Sequence, residues 1–287
     1  YNNVWGNGTD YSRTSAAETD ISSDPQYVDA YAVDHHLLDS SPSKTASSSG
    51  GEIGAYGNGG APPDSDEELS TTPTLTGALT QSERWTGEVT LTGSVEVNWP
   101  YKLIIDAGTV IHMPSSATLT VNNFVRILGT ESSPVVFEAA EGATNWSGIY
   151  LNSSGAGSTI RYAHISDATY CIRSQGAPDE INNNRLSNCQ YGVYVNSGSP
   201  DISNNLIIEN ANAGIHVNNG NPQITYNTLD QNGNYGVYFS TSVVPTITNN
   251  IITRNTTGLY DYYGKYTGGY NNVWGNGTDY SRTSAAE

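Results

Sequence analysis

Tyr150, Tyr194, His216, Tyr238 and Tyr260 recur at multiples of 22 residues, a spacing that would line them up on one face of a repeating fold. Such a stripe could grip sugar rings, contact a neighbouring protein, or only brace the sheet that carries it, an effect of roughly 0.2–1 kcal/mol per contact. Asp179 and Asp201 each follow a proline, Pro178 and Pro200. A close carboxylate pair is what hydrolytic acid–base chemistry uses. One and two periods later Gln223 and Thr246 stand in their place. The cluster therefore ends at two, and exposed turn aspartates are the expectation. Asp34, His35 and His36, with Asp39 nearby, suggest a metal site, but adjacent residues of a strand point to opposite faces. Asp64, Asp66, Glu67 and Glu68 form a dense run of oxygen ligands that suits calcium, although the run lacks the spacing and glycine of an EF-hand loop. A solvated acidic linker is the competing reading. No other cofactor is expected.

The elements that would position these residues follow from a second period. Ile160, Ile181, Ile202, Ile224 and Ile247 lie 21 to 23 residues apart. Three residues after each stand Ala163, Asn184, Asn205, Asn227 and Asn250, and five after stand Ile165, Leu186, Ile207, Leu229 and Ile252. Eight after come Ala168, Cys189, Asn210, Asn232 and Asn255, and Gly148, Gly192, Gly214, Gly236 and Gly258 fall on multiples of 22. Short alternating runs with Asn/Gly corners at this period predict an all-β solenoid of about 22-residue coils, a coiled parallel sheet with coils about 4.8 Å apart. Val193, Ile215, Val237 and Leu259 would stack inward, and the tyrosine column between such neighbours would face out, interrupted by Ile172. Asn184, Asn205, Asn227, Asn250 and Asn272 would form a structural ladder, since asparagine tolerates left-handed corners and stacked amides bond coil to coil.

The coil I-x-x-N-x-[IL]-x-x-N-x-x-G-[VIL] resembles the right-handed parallel β-helix repeats of the pectate-lyase-like superfamily. Leu103 to Ala140 and Asn145 to Leu151 look like opening coils of that family. Ile21 to Pro42 and Gly51 to Gly57 resemble its closing segment, which usually follows an NNVWGN-like coil such as Tyr1 to Gly8. The resemblance covers nearly the whole chain in permuted order, end before beginning. Enzymes of the superfamily act on acidic polysaccharides, with clustered carboxylates for calcium and a basic residue or with a few close aspartates. Arg161, Arg173 and Arg185 sit at different positions of neighbouring coils with no evident carboxylate partner, so no catalytic residue is expected. A lyase would also ask an acidic protein to bind an acidic polymer.

Tyr1 to Glu18 recur without change as Tyr270 to Glu287, an offset of 269 residues. This predicts an array of near-identical 269-residue units, tandemly repeated. Residues 1–60 would be the last coil and closing segment of one module. Residues 61–73 would be an acidic Pro/Gly linker, and 74–287 the next module, cut before its own closing segment. A duplicated tag-like end is the plainer alternative.

The formal net charge of −17, with 28 acidic and 11 basic side chains, argues against nucleic acid or anionic lipid as partner. No apolar run approaches the length a membrane helix needs. Low charge content with many Tyr, Thr, Asn, Ser and Gly points to an extracellular or cell-surface β protein. Cys171 and Cys189 permit a disulfide in that setting, but either could be a small inward filler. Asn7, Asn145, Asn152, Asn255 and Asn276 open glycosylation sequons. The reading expected is a non-catalytic structural repeat of an extracellular filament or giant surface protein, its modules stacking end to end with copies of itself. The alternatives are an adhesin that binds cell-surface glycans through the tyrosine column, and a polysaccharide lyase or hydrolase.

Overall fold

Ile160, Ile181, Ile202, Ile224 and Ile247 pair side by side in one parallel sheet, each fully buried. In a computed structural model of the chain, the residues described are 27–29, 34–37, 41–44, 69–152, 157–176, 179–240, 244–264 and 266–283. The chain divides into two units, Tyr1–Glu68 and Leu69–Glu287. In the first, Tyr27–Asp29 pairs antiparallel with Asp34–Leu37, and a 3-10 turn covers Pro42–Lys44. Asp39, Asp64, Asp66, Glu67 and Glu68 lie outside the described residues.

The second unit is an all-β parallel solenoid. Each coil gives one strand to each of three sheets, which among the described residues have nine, nine and ten strands. One coil shows the plan. Asp201–Ser203 lies in the first sheet, Leu206–Ile208 in the second and Ala213–Val217 in the third. The strands are short because every third to fifth residue must turn a corner. Inward columns are mostly aliphatic: Ile165, Leu186, Ile207, Leu229 and Ile252 line the second sheet, continued by Phe137 beside Ile165, and Val193, Ile215, Val237 and Leu259 the third. All are essentially inaccessible to solvent. Burying each such side chain contributes about 1.5–3 kcal/mol.

Two of the three corners share one device. At the first, Tyr162, Asn183, Asn204, Tyr226, Asn249 and Tyr270 adopt left-handed φ of 49–60°. At the second, Asp167, Asn188, Glu209, Gln231 and Arg254 do so at 54–60°. The residue that follows each is turned inward, and there the asparagines stack. Asn205 Nδ2 donates to Ile181 O at 2.8 Å and to Asn227 Oδ1 at 2.9 Å, and its N–H donates to the same Oδ1 at 2.9 Å. Asn184, Asn227 and Asn250 repeat the pattern. The ladder asparagines are thus not themselves the left-handed residues. They fill the corner that the left-handed residue opens, and they satisfy backbone groups that burial would leave unpaired.

The ladder passes from Asn250 to Asn271, not to Asn272. Tyr270 takes the left-handed corner, so Asn271 points inward, while Asn272 is an exposed strand residue opposite Ile251. Asn210, Asn232, Asn255 and Asn276 form a second ladder at the other corner. Among the described residues its last rung is met by Asp279, whose Oδ1 accepts both the N–H and the Nδ2 of Asn276.

The second unit begins at Leu69, inside the stretch 61–73 read as linker. Ser70 bridges to Glu83, whose buried carboxylate accepts the Thr74 N–H at 2.9 Å, the Thr74 hydroxyl and Trp85 Nε1 at 2.7 Å. These bonds fasten the segment before the first coil onto that coil's end.

Candidate functional site

Six successive strands of the third sheet, from Trp146–Leu151 to Thr257–Asp261, carry the aromatic column. Tyr194, His216, Tyr238 and Tyr260 are consecutive rungs. The residue between Tyr150 and Tyr194 is Arg173, not Ile172. The strand Ala168–Gln175 holds one extra residue, Cys171, which shifts the register between Gly148 and Ile149. That shift turns Ile172 inward against Ile149 and Val193, fully buried. The column is also doubled: Tyr170, Tyr191 and Tyr235 form a parallel row three residues earlier in their strands. Neighbouring rings lie 4.7 to 5.9 Å apart, from Tyr150–Tyr170 through Tyr194–His216 and His216–Tyr238 to Tyr238–Tyr260. Most of these contacts are edge-to-face or tilted, and Tyr170 and Tyr191 stack with their planes 14° apart.

Carboxamides border the rings. Asn196 Nδ2 donates to Gln175 Oε1 at 2.9 Å, and Asn218 follows on Asn196. On the other side Asn212 Nδ2 donates to the Tyr191 hydroxyl at 2.7 Å and Asn234 Nδ2 to Asn212 Oδ1 at 2.9 Å. The Arg173 guanidinium lies 5.1 Å from the Tyr150 ring centre, and that of Arg282 lies 4.5 Å from Tyr262. Burial pushes His216 down to about 4, so it is neutral and a weak base at physiological pH. Burial, then the neighbouring phenols, pushes Tyr150, Tyr194 and Tyr238 above the usual tyrosine range. These groups are suited to binding rather than to proton transfer near neutrality.

Asp179 and Asp201 do not make a pair of exposed turn carboxylates. Asp179 is buried, its Oδ1 accepting the Ser158 N–H at 3.0 Å and its Oδ2 the Ser174 hydroxyl at 2.6 Å, while Asp201 is exposed. Burial outweighs those two bonds and raises the Asp179 pKa. The arginines part company as well. Arg161 pairs with Glu180 at 2.6 Å, Arg173 joins the aromatic face, and Arg185 lines a shallow cleft of about 530 Å3 on the second sheet, with Glu131, Tyr162, His164 and Leu206. Burial and then the charge of Arg185 push the His164 pKa down. Periodicity does not reveal this cleft, because its rim is a loop, Thr130 to Pro134, outside the 22-residue pattern.

Cys171 and Cys189 form a disulfide, their Cα atoms 5.8 Å apart. Among the described residues no group of three or more His, Cys, Asp or Glu is placed to hold a metal ion, and no helix is long and apolar enough to cross a membrane.

Residues 147–285 match the family described as right handed beta helix region. No curated protein and no solved structure matches the chain. The matched stretch takes in the coils that carry both asparagine ladders and the aromatic face, and the coils from Leu69 onward continue its three sheets. The second unit, Leu69–Glu287, is a right-handed parallel β-helix, a repeat-type scaffold.

Proposed function

We propose that the protein is a non-catalytic structural unit of an extracellular filament or large surface protein, with 269-residue modules following one another along one axis. The observation that carries this reading is the coil made by Thr267–Gly269, Asn272–Trp274 and Thr278–Ser281. Most of it lies within Tyr270 to Glu287, the segment repeated as Tyr1 to Glu18. In its copy at Tyr270 the recurring sequence builds a solenoid coil, which suits a module boundary in an array of β-helices. The interior supports the same reading. Apolar stacks, mostly aliphatic with Trp85, Phe137, Trp146 and Phe239 among them, and two amide ladders fill it, and Asp179, the one carboxylate of the post-proline pair that is buried, is tied to Ser158 and Ser174. Nine or ten coils at about 4.8 Å make a rod of about 45 Å per module. A formal charge of −17 would keep neighbouring rods from collapsing onto one another.

Electron microscopy of the protein from its natural source tests this. Fibres or cell-surface projections with an axial repeat near one module length are expected. Isolated particles with no such repeat would sink the reading.

A further inference from the structure

In a chain with 28 acidic side chains, the outer face of six successive third-sheet strands, Trp146–Leu151 to Thr257–Asp261, presents none. The one carboxylate in these strands, Asp261, is buried and accepts the N–H groups of Tyr263 and Tyr266. What the face does present is tyrosine, His216, carboxamides and Arg173. Two rods of the same net charge repel wherever their carboxylates meet, and this is the strip on which they need not meet.

The strip also has an internal order. Counting rungs from His216, Tyr194 lies one below and Tyr238 one above, and Arg173 lies two below and Tyr260 two above. We propose that this face docks a second copy of the chain, side by side and antiparallel, about a two-fold axis at His216. A two-fold contact pairs residue i with j and j with i. It lays Tyr194 against the second copy's Tyr238, and Arg173 against the second copy's Tyr260. Arginine over tyrosine is a contact the chain already makes: Arg173 lies 5.1 Å from Tyr150, and Arg282 lies 4.5 Å from Tyr262 and 5.9 Å from Tyr260, the ring that the second copy's Arg173 would share with it. The two Arg173 side chains are kept about four rungs, or roughly 19 Å, apart. With His216 neutral, no charge sits on the axis.

Ring packing favours a protein partner over a sugar. Sugar stacking needs a flat, open ring platform, and here most rings stand edge-on or tilted against their neighbours at 4.7 to 5.9 Å, which makes a ridged surface rather than a platform. Hydroxyl-tipped tyrosine edges with an arginine are what protein interfaces collect. Six rungs give a patch roughly 25 Å long, at the small end of stable interfaces, so micromolar association is expected. This contact is lateral and closed, whereas end-to-end stacking is axial and open. A dimer of the isolated chain is thus measured whether or not the filament reading holds.

Sedimentation velocity of the purified full chain over a range of concentrations and salt tests the proposal. The expected result is a reversible dimer that tightens as salt screens the repulsion between copies. Tyr194→Glu and Tyr238→Glu should each weaken it at least about tenfold, whereas Gln223→Glu, on the exposed face of the first sheet, should not. His216→Cys should give a disulfide-linked dimer on mild oxidation, and Gln223→Cys should not. Unchanged thermal melting certifies that each outward substitution leaves the coils folded. A monomer at every concentration and salt, a dimer unaffected by both glutamates, or a monomer whose tyrosine fluorescence instead responds to soluble glycans would overturn it.

Discussion

The bridge between Cys171 and Cys189 occupies the place that Gly192 and Asn210 hold one coil later. Cys171 stands beside Gly192 in the third sheet, and the Cys189 N–H donates to Asn210 Oδ1 at 3.1 Å, one rung along the second ladder. A methyl group built on Gly192 would come 3.2 Å from Asn210 Nδ2, and on Gly214 2.9 Å from Asn232 Nδ2. At Gly192, Gly214, Gly236 and Gly258 the sheet position meets the corner 18 or 19 residues later, and at Cys171 that contact is covalent.

Replacing the bridge by the pair it displaces should therefore be milder than deleting it. Closing a loop of 18 residues contributes about 3 kcal/mol in the chain-entropy account. Cys171→Ala with Cys189→Ala loses that. Cys171→Gly with Cys189→Asn loses it too, but adds a ladder rung that should return about 1–2 kcal/mol. Urea unfolding of the two double variants checks the order.

Asn205→Ala should cost about 2–5 kcal/mol. It strips the acceptor from the Asn184 N–H and the donor from Ile181 O, both buried. Hydrogen exchange at the Asn184 amide should accelerate by orders of magnitude, while amides four coils away change little.

Gly214→Ala should destabilise by about 1–3 kcal/mol, because the new methyl meets Gly236 O at 2.8 Å and Leu229 Cδ2 at 3.0 Å. Gly269→Ala meets nothing within 4 Å and should stay within about 0.5 kcal/mol. Thermal melting of the two variants measures the contrast.

His216 is held neutral, with its pKa lowered to about 4 from 6.5. The unfolded chain therefore binds the proton more readily. The stability this histidine contributes is full above pH 6.5 and is lost as pH falls from there towards 4. Allowing for partial solvent screening, the loss is on the order of 2 kcal/mol. In His216→Phe that part of the pH profile should be flat, as stability curves against pH on dilute protein would record.

Asp179 gives the opposite sign. Its raised pKa means that the folded chain binds the proton more tightly than the unfolded one. The charged carboxylate therefore costs stability at neutral pH, and the cost fades as pH falls through the folded pKa. Asp179→Asn can keep the Ser158 N–H bond and donate to Ser174. It should melt higher than the parent at pH 7 and lose that advantage in acid.

The solenoid was legible because aliphatic spacing is a direct imprint of coil length, and Ile160 to Ile247 wrote it plainly. The first ladder was legible for the same reason up to Asn250. Beyond it, counting failed where coils depart from a fixed period. The corner at Tyr270 comes 21 residues after Asn249, which moves the rung to Asn271. The extra residue Cys171 put Arg173, rather than Ile172, among the tyrosines. Tyr170, Tyr191 and Tyr235 were in plain sight, but a row is recognised only once the rungs beside it are in register. Nothing in the sequence marked Asp179 as buried, since its proline-flanked setting is that of any surface turn.

Because each coil touches only the one before and the one after, length in this molecule is a quantity that can be edited without redesign. Excising Asp201 through Pro222 would join Pro200 to Gln223, bring Ile181 beside Ile224, Asn184 beside Asn227 and Tyr194 beside Tyr238, and leave every stack one member shorter but chemically whole. Genetic slippage within such a sequence yields rods of other lengths rather than broken proteins. Between the fastening at Glu83 and the rung at Asp279, the length of the solenoid is then the tally of its coils.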